Sequence, residues 1–227
     1  MDNVIKKIQD DYNIIARDFS QKRGFLWSEI KYFLKYVKRG NKVLDVGCGN
    51  GRLYPELKDK KVSYLGIDFS QELLKIAGKN HPQAEFLKVD ISQVKDWQKV
   101  KGLYDVVFCT AVLHHFPTLK LQLFVLKQIN KRLKKDGVLV LSVWNLWQEK
   151  FLGLHLKQIL WKIAKGFRLR WLLVPFGVSD GKKTIYKVNR FLYAFSRKEL
   201  TKLFKKTGFE IIEEKIGKNL CFMAKKC

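Results

Sequence analysis

The chain has 227 residues, 47% of them hydrophobic, with six Trp and sixteen Phe, which is enough apolar material for one full core. It has no charge-free apolar run of the roughly eighteen residues a spanning helix needs, and Met1-Asp2-Asn3-Val4-Ile5-Lys6-Lys7 lacks the apolar stretch of a signal peptide. Lys and Arg number 45 against 21 Asp and Glu; the resulting +24 implies self-repulsion that an anionic partner would relieve, with polyphosphate the first candidate. A lysine-rich proteome from a low-GC genome is the other source of such a charge. The excess is uneven, since the stretch from Phe151 onward holds 18 basic and 5 acidic residues. Cys48, Cys109, Cys221 and Cys227 form no CxxC pair, which fits a reducing cytoplasm and argues against structural zinc. No metal ligands are read.

In chain order, residues 3–17 and 25–39 read as helices, joined by a polar connection from Asp18 to Gly24. Ile30, Phe33, Leu34 and Val37 recur at helical spacing and form an apolar stripe that packs on a sheet. Strand 42–46 runs into Gly47-Cys48-Gly49-Asn50-Gly51, with a helix beginning at Arg52. Strand 62–67 ends at Asp68, and Ser70 caps a helix reaching Gly78. Strand 85–89 ends at Asp90, and strand 105–109 runs into Thr110-Ala111-Val112-Leu113-His114-His115-Phe116. Helix 118–134 is closed by Lys134-Lys135-Asp136-Gly137 and followed by strand 138–144.

Strands alternating with helices predict an α/β fold, doubly wound around a mostly parallel sheet. Residues 151–170 combine an apolar helical period (Leu152, Leu156, Ile159, Leu160, Ile163, Phe167) with Lys157, Lys162, Lys165, Arg168 and Arg170. A loop from Pro175 to Lys183 follows. Ser196 and Glu199 form a capping box for a helix to Thr207, Gly208 stops it, and the chain closes in a hairpin around Gly217-Lys218-Asn219.

The GxGxG turn after a buried strand is where a ligand can lie against bare backbone. Its spacing differs from the GxGxxG of dinucleotide folds, so the turn alone leaves the ligand open. In a doubly wound sheet, ligands bind beyond the carboxyl ends of the strands, and there the sequence places Asp45, Asp68 and Asp90. Asp68 is expected to accept hydrogen bonds from a ribose diol. Asp90 is expected to accept from an adenine amino group, with Phe69 and Ile91 against the ring. An acid at the end of strand two and no phosphate partner near the turn disfavour a 2′-phosphorylated dinucleotide. They favour an adenosyl ligand without phosphates, S-adenosyl-L-methionine.

From the glycine turn to the closing hairpin, the arrangement resembles the class I methyltransferases. In that family the sheet has seven strands and the hairpin inserts an antiparallel strand. A narrower likeness lies outside the core. Tyr12-Asn13-Ile14-Ile15-Ala16, Phe19-Ser20-Gln21-Lys22-Arg23 and Trp27 resemble the entry segment of the tRNA wobble-uridine (carboxymethyluridine) methyltransferases of the Trm9 and ALKBH8 type. So do Val112–Phe116, Val143–Glu149, Val174-Pro175-Phe176 and Arg190–Leu200.

The resemblance implies a single methyltransferase domain. Its parts are N-terminal helices (1–40), a cofactor-binding core (41–150), a basic insertion (151–195) and a C-terminal helix and hairpin (196–227). It also implies methyl esterification of 5-carboxymethyluridine in a tRNA anticodon loop, in the cytoplasm. Expected cofactor contacts are Tyr12, Phe19, Arg23, Asp45, Gly47, Gly49, Gly51, Asp68, Phe69, Asp90, Ile91 and Ala111.

A carboxylate acceptor is already ionised at neutral pH, so no general base is required. Arg23, His114 and His115 are expected to position the reactants, Arg23 by pairing with a carboxylate of the cofactor or of the uridine. Trp147 is a candidate for stacking on an unstacked base, whereas Trp144 is expected in the core. Cys48 is expected to be a packing residue. The basic helix 151–170 grips tRNA phosphates or lies on an anionic membrane with Trp161 and Trp171 at the interface. The chain lacks the long polar insertion of the eukaryotic members, which leaves open both the exact nucleoside and their small zinc-binding activator. Two rival functions are a small-molecule or lipid-precursor methyltransferase and a non-catalytic RNA-binding module.

Overall fold

The computed structural model describes residues 2–164, 170–179 and 184–227. Helix α1 (Asp2–Lys22) runs without interruption through the stretch expected to be a connection, because no breaker occurs before Gly24. Ile8, Tyr12, Ile15 and Ala16 are buried along one face, at the spacing of an amphipathic helix. Helix α2 (Ser28–Phe33) is shorter than its apolar stripe implied and tightens into a 3₁₀ turn at Leu34–Tyr36. There Lys60 Nζ takes the Leu34 and Val37 carbonyls, each at 2.7 Å, where a longer helix would have bonded further turns.

Strand β1 (Lys42–Val46) leads into the glycine turn. The helix expected from Arg52 is absent, and two 3₁₀ turns, Tyr54–Glu56 and Lys58–Lys60, take its place. Pro55 gives no N–H to an α-ladder. Next come β2 (Ser63–Asp68), α3 (Gln71–Asn80) with Ser70 as its cap, β3 (Glu85–Lys88), the short α4 (Val94–Trp97) and β4 (Tyr104–Thr110). Helix α5 (Leu119–Arg132) passes directly into β5 (Leu133–Trp144). The stretch Lys134–Gly137, expected to be a turn, is an irregularity inside that strand. Leu133 pairs with Tyr104 but Val138 pairs with Val106, and Asp136 takes φ +64°.

After α6 (Glu149–Ala164), the stretch Trp171–Ser179 is strand β6 and Thr184–Tyr193 is strand β7, where a loop from Pro175 was expected. The two form an antiparallel pair of their own, outside the main sheet. Val174, Phe176, Val188 and Leu192 alternate inward along them, a period-two signal masked in the sequence by Pro175 and Gly177. Lys165, Phe167, Arg168 and residues 180–183 lie outside the described residues. Helix α7 (Arg197–Lys206) carries the capping box, and Gly208 follows it at φ +75°. Strands β8 (Phe209–Ile216) and β9 (Asn219–Lys226) end the chain.

The main sheet has the order β3-β2-β1-β4-β5-β9-β8. The first five strands are parallel, and β9 inserts antiparallel between β5 and β8. This is the doubly wound, seven-stranded sheet the sequence predicted. β1 and β4 are neighbours although β2 and β3 intervene in the chain, so the winding reverses between them and opens a crevice at their carboxyl ends. One face of the sheet is covered around Val125, Ile129, Leu200 and Phe204, and the other around Leu26, Ile30 and Phe33. Over the crevice, α1 packs against the β6–β7 pair through Ile8, Tyr12, Ile15, Phe176, Val188 and Phe191. Lys22 Nζ, bonded to the Gly177 carbonyl at 2.6 Å, ties the two elements together.

Candidate active site

The glycine turn is held down by backbone. The N–H groups of Gly47 and Cys48 both bond the Ile67 carbonyl, at 2.7 and 3.0 Å. Gly47, Gly49 and Gly51 all take positive φ, but for different reasons. A Cβ on Gly47 would lie 2.2 Å from Val112 Cγ2, so this glycine lets two segments touch. A Cβ on Gly51 would meet His81 and Phe86 at 2.9 and 3.0 Å. Gly51 is therefore a packing glycine beneath the turn. Only Gly49 faces open space, with Phe19 the nearest side chain at 3.9 Å.

The three strand-end acids surround the same crevice. Asp45 is buried, and its Oδ2 accepts from the Tyr64 hydroxyl at 2.8 Å while Oδ1 has no partner. Burial pushes it up to about 7, against the hydrogen bond from Tyr64. Asp68 accepts the Gly49 N–H on one oxygen at 2.9 Å and the Ser70 N–H on the other at 2.8 Å. Burial lifts it to about 6 despite those bonds. It thus braces the turn, in addition to the ribose contact expected of it. Asp90 is partly engaged already: Ser92 bonds Oδ1, and Gln9 from α1 donates to Oδ2 at 2.7 Å. Phe69, Ile91 and Ala111 line the same space. Ala111 holds φ +59°, a conformation that costs a non-glycine residue roughly 1 kcal/mol and collects at functional sites.

Across the crevice stands an aromatic and imidazole group. His115 Nδ1 lies 3.2 Å from the Phe191 carbonyl, and only a protonated nitrogen bonds there. Its Nε2 is therefore the acceptor for the Tyr12 hydroxyl at 3.0 Å. His114 Nδ1 accepts the Trp144 backbone N–H at 3.2 Å. Burial is the main cause that holds His115 down at about 3, against the bond to the Phe191 carbonyl, and His114 well below its ordinary value. The charge of Arg190 adds to it in both. Both imidazoles are neutral at physiological pH with these lone pairs in use. They position neighbours and do not collect a proton. Tyr12 meets Phe19, Phe69 and His115 edge-on, with centroids 5.4, 6.1 and 5.3 Å away.

Several residues here were missed or misplaced by sequence reasoning. Trp144, expected in the core, lines the crevice half-buried, with the Arg190 guanidinium 4.8 Å and the Arg23 guanidinium 5.7 Å from its ring. Arg190 on β7 is buried, and its Nε has no partner. Arg52 lies 4.4 Å over Trp27 with Nη1 unpartnered, and burial together with Arg23 lowers it to about 10. Asn50 clips the turn to the end of α1 by donating to Ser20 Oγ at 3.0 Å. In a chain with 45 basic residues, nothing local marks Arg190 as buried or Arg52 as a crevice residue.

Trp147 is absent from the crevice lining. Its indole N–H bonds the Phe195 carbonyl at 3.1 Å, and its ring stacks on His155 at 4.8 Å. Trp171, expected at a membrane interface, is half-buried and edge-on to Phe191 at 4.5 Å. The side chain of Trp161 lies outside the described residues.

A parallel sheet closed by an antiparallel pair, with a glycine turn and strand-end acids at the reversal point, defines a class I methyltransferase. The chain matches the model of the family described as "Methyltransferase domain" over residues 19–214, and it belongs to that family. It is 33% identical over 144 residues to mouse tRNA (carboxymethyluridine(34)-5-O)-methyltransferase ALKBH8, a match covering 63% of this chain and 21% of the mouse protein. The tRNA (carboxymethyluridine(34)-5-O)-methyltransferase of Saccharomyces cerevisiae is 30% identical over 137 residues, 60% of this chain and 47% of the yeast protein. The match thus spans less than half the length of either relative. Among solved structures, a SAM-dependent methyltransferase from Methanosarcina mazei superposes with a TM-score of 0.70 at 21% identity. It covers 89% of this chain and 98% of that one.

The cofactor of this class, S-adenosyl-L-methionine, supplies a methyl group on a sulfonium, and the crevice suits it. Gly49 leaves backbone bare, Asp45 Oδ1 is an orphaned acceptor for a cation, and Phe69 and Ile91 offer apolar walls. A pH dependence follows. Asp45, at about 7, is largely protonated below pH 6 and ionised only above neutrality. A cationic ligand beside Oδ1 favours the ionised form, so cofactor affinity is expected to rise with pH between about 6 and 7. Binding in that window releases up to about one proton. Calorimetry at pH 6.5 in two buffers of different ionisation enthalpy reads this directly. Identical heats would place the cation away from Asp45.

Proposed function

We propose that this chain is a tRNA methyltransferase that uses S-adenosyl-L-methionine to esterify the carboxylate of 5-carboxymethyluridine at the wobble position, acting in the cytoplasm. The observation that carries the proposal is a crevice lined by three arginines, suited to a carboxylate, and by two histidines that are neutral with their lone pairs already in use. Reaction at a carboxylate needs none, because the nucleophile is already ionised. What remains is alignment of one oxygen with the methyl–sulfur bond, worth several kcal/mol of barrier when geometry is enforced. The identity to two carboxymethyluridine methyltransferases supports the choice of acceptor, and the +24 charge suits a polyanionic partner.

Mass spectrometry of tRNA nucleosides from a deletion strain tests the proposal. The methyl ester should vanish and the free carboxymethyl nucleoside should accumulate. An unchanged wobble-uridine profile eliminates this substrate.

One observation favours a second function. Leu152, Leu156, Ile159 and Ile163 stand exposed along one side of α6, with Lys150 and Lys157 nearby. Such a stripe suits a methyltransferase working on a lipid-like acceptor at an anionic membrane surface. Among the described residues no helix is long and apolar enough to cross a membrane. Retention of the protein on anionic vesicles, together with an unchanged nucleoside profile, would select that function.

A further inference from the structure

The crevice holds more positive charge than its cofactor consumes. Arg23, Arg52 and Arg190 all line it, whereas the methionine tail of the cofactor brings a single carboxylate. The three come from different elements, although Arg23 and Arg190 both reach the Trp144 ring, at 5.7 and 4.8 Å. Arg52 follows the glycine turn directly and feels the charge of Asp45. Arg23 is tied to the same turn, since Asn50 Nδ2 reaches its carbonyl at 3.4 Å. Those two are attached to the turn itself.

Arg190 comes from β7, outside the cofactor-binding sheet. It is 5% exposed, and among the described residues no carboxylate forms an ion pair with it. Its guanidinium lies 4.8 Å over the Trp144 ring and 5.1 Å over that of Phe176. Beside it, the Tyr12 hydroxyl is held by His115 Nε2 at 3.0 Å, and His115 in turn by the Phe191 carbonyl. A buried guanidinium stays charged, and leaving it unpaired in a partly dry site is costly. Its neighbours are the rings of Trp144 and Phe176 and a second cation, Arg23, over the same Trp144 ring. The missing partner is an anion that arrives from outside.

We propose that Arg190 is the receptor for the acceptor's carboxylate, with Trp144 holding its guanidinium flat, while Arg23 and Arg52 serve the cofactor tail. The inference deepens the proposed function and rests on it. A planar fork fits a carboxylate through two parallel bonds and so fixes which oxygen lone pair faces the methyl group. In the transfer, that oxygen forms the new bond to the methyl carbon as the carbon–sulfur bond breaks and its electron pair passes to sulfur. The products are a methyl ester and S-adenosylhomocysteine, and no proton moves. The ester carries no charge, so the contact that captured the acid weakens once the reaction is complete, which favours product release.

The test uses the full chain and an anticodon stem–loop RNA carrying 5-carboxymethyluridine. Arg190→Gln should raise the KM for this RNA about 10- to 100-fold, the scale of a lost charge-assisted bond, with kcat changed much less. Its affinity for S-adenosylhomocysteine by calorimetry should stay within about threefold of wild type. Arg190→Lys should recover part of the loss. Arg23→Gln should show the opposite pattern, with weakened S-adenosylhomocysteine binding.

Should Arg190→Gln fold poorly, the wild-type chain supplies a second measurement. It should bind the carboxymethyl RNA at least about tenfold more tightly than the same RNA bearing the neutral carbamoylmethyl group. An active wild type with an unaltered KM in Arg190→Gln, or with equal affinity for acid and amide, overturns the assignment of Arg190 alone. So does loss of S-adenosylhomocysteine binding in that variant. A wild type inert on the carboxymethyl RNA overturns the proposed function and this inference together.

Discussion

Gly47→Ala is expected to lower the melting temperature by about 4–16 °C. Two costs add. At φ +72° an alanine pays roughly 1 kcal/mol for the left-handed conformation. Its Cβ would also sit 2.2 Å from Val112 Cγ2 and 3.3 Å from Val112 Cβ, and a β-branched side chain has no easy rotamer to retreat into. Overpacking of that kind costs about 1–3 kcal/mol, and in a domain of this size each kcal/mol moves the melting point about 2–4 °C. Gly49→Ala is the control. It carries the same conformational cost, but its Cβ points into open space with Phe19 at 3.9 Å. It should remain folded to within about 4 °C and instead lose S-adenosylhomocysteine affinity. Differential scanning calorimetry and titration on the two variants separate these outcomes. Equal melting shifts would refute the division of labour between the two glycines.

Asp68→Ala should weaken S-adenosylhomocysteine binding by about 1–3 kcal/mol, roughly 5- to 150-fold. The structure adds a reason beyond a lost ribose contact. The carboxylate accepts the N–H groups of Gly49 and Ser70, so its removal strands two backbone donors and loosens the part of the turn that faces the ligand. Asp68→Asn keeps one acceptor oxygen and should fall between wild type and alanine. Titration calorimetry at pH 7.5, above the value of about 6 that burial gives this acid, compares all three in the ionised regime. Normal binding by Asp68→Ala would place the cofactor elsewhere.

The parallel core was legible because each of its strands is a short apolar run with a polar or glycine terminus, and Ser70 and Ser196 announce their helices chemically. Asp45, Asp68 and Asp90 could be placed on one edge because a doubly wound sheet puts all its strand ends there. Gly51 shows why a glycine alone is ambiguous in a sequence: positive φ and close packing demand glycine as strongly as ligand contact does. The β6–β7 pair was hidden because Pro175 and Gly177 imitate a loop, while the pairing that makes them a strand comes from the distant residues Asn189 and Tyr186.

The linear sequence determined the order of strands and helices, the glycine turn, the acids at the strand ends and the surplus of positive charge, all properties of neighbouring residues and their spacing. The tertiary structure alone decided which cations line the crevice. Arg23, Arg52 and Arg190 come from three separate segments, and only the packing of α1 and β7 over the crevice gathers them around it. Their desolvation, and with it their need for an anion, is a property of that enclosure, which no stretch of sequence possesses by itself.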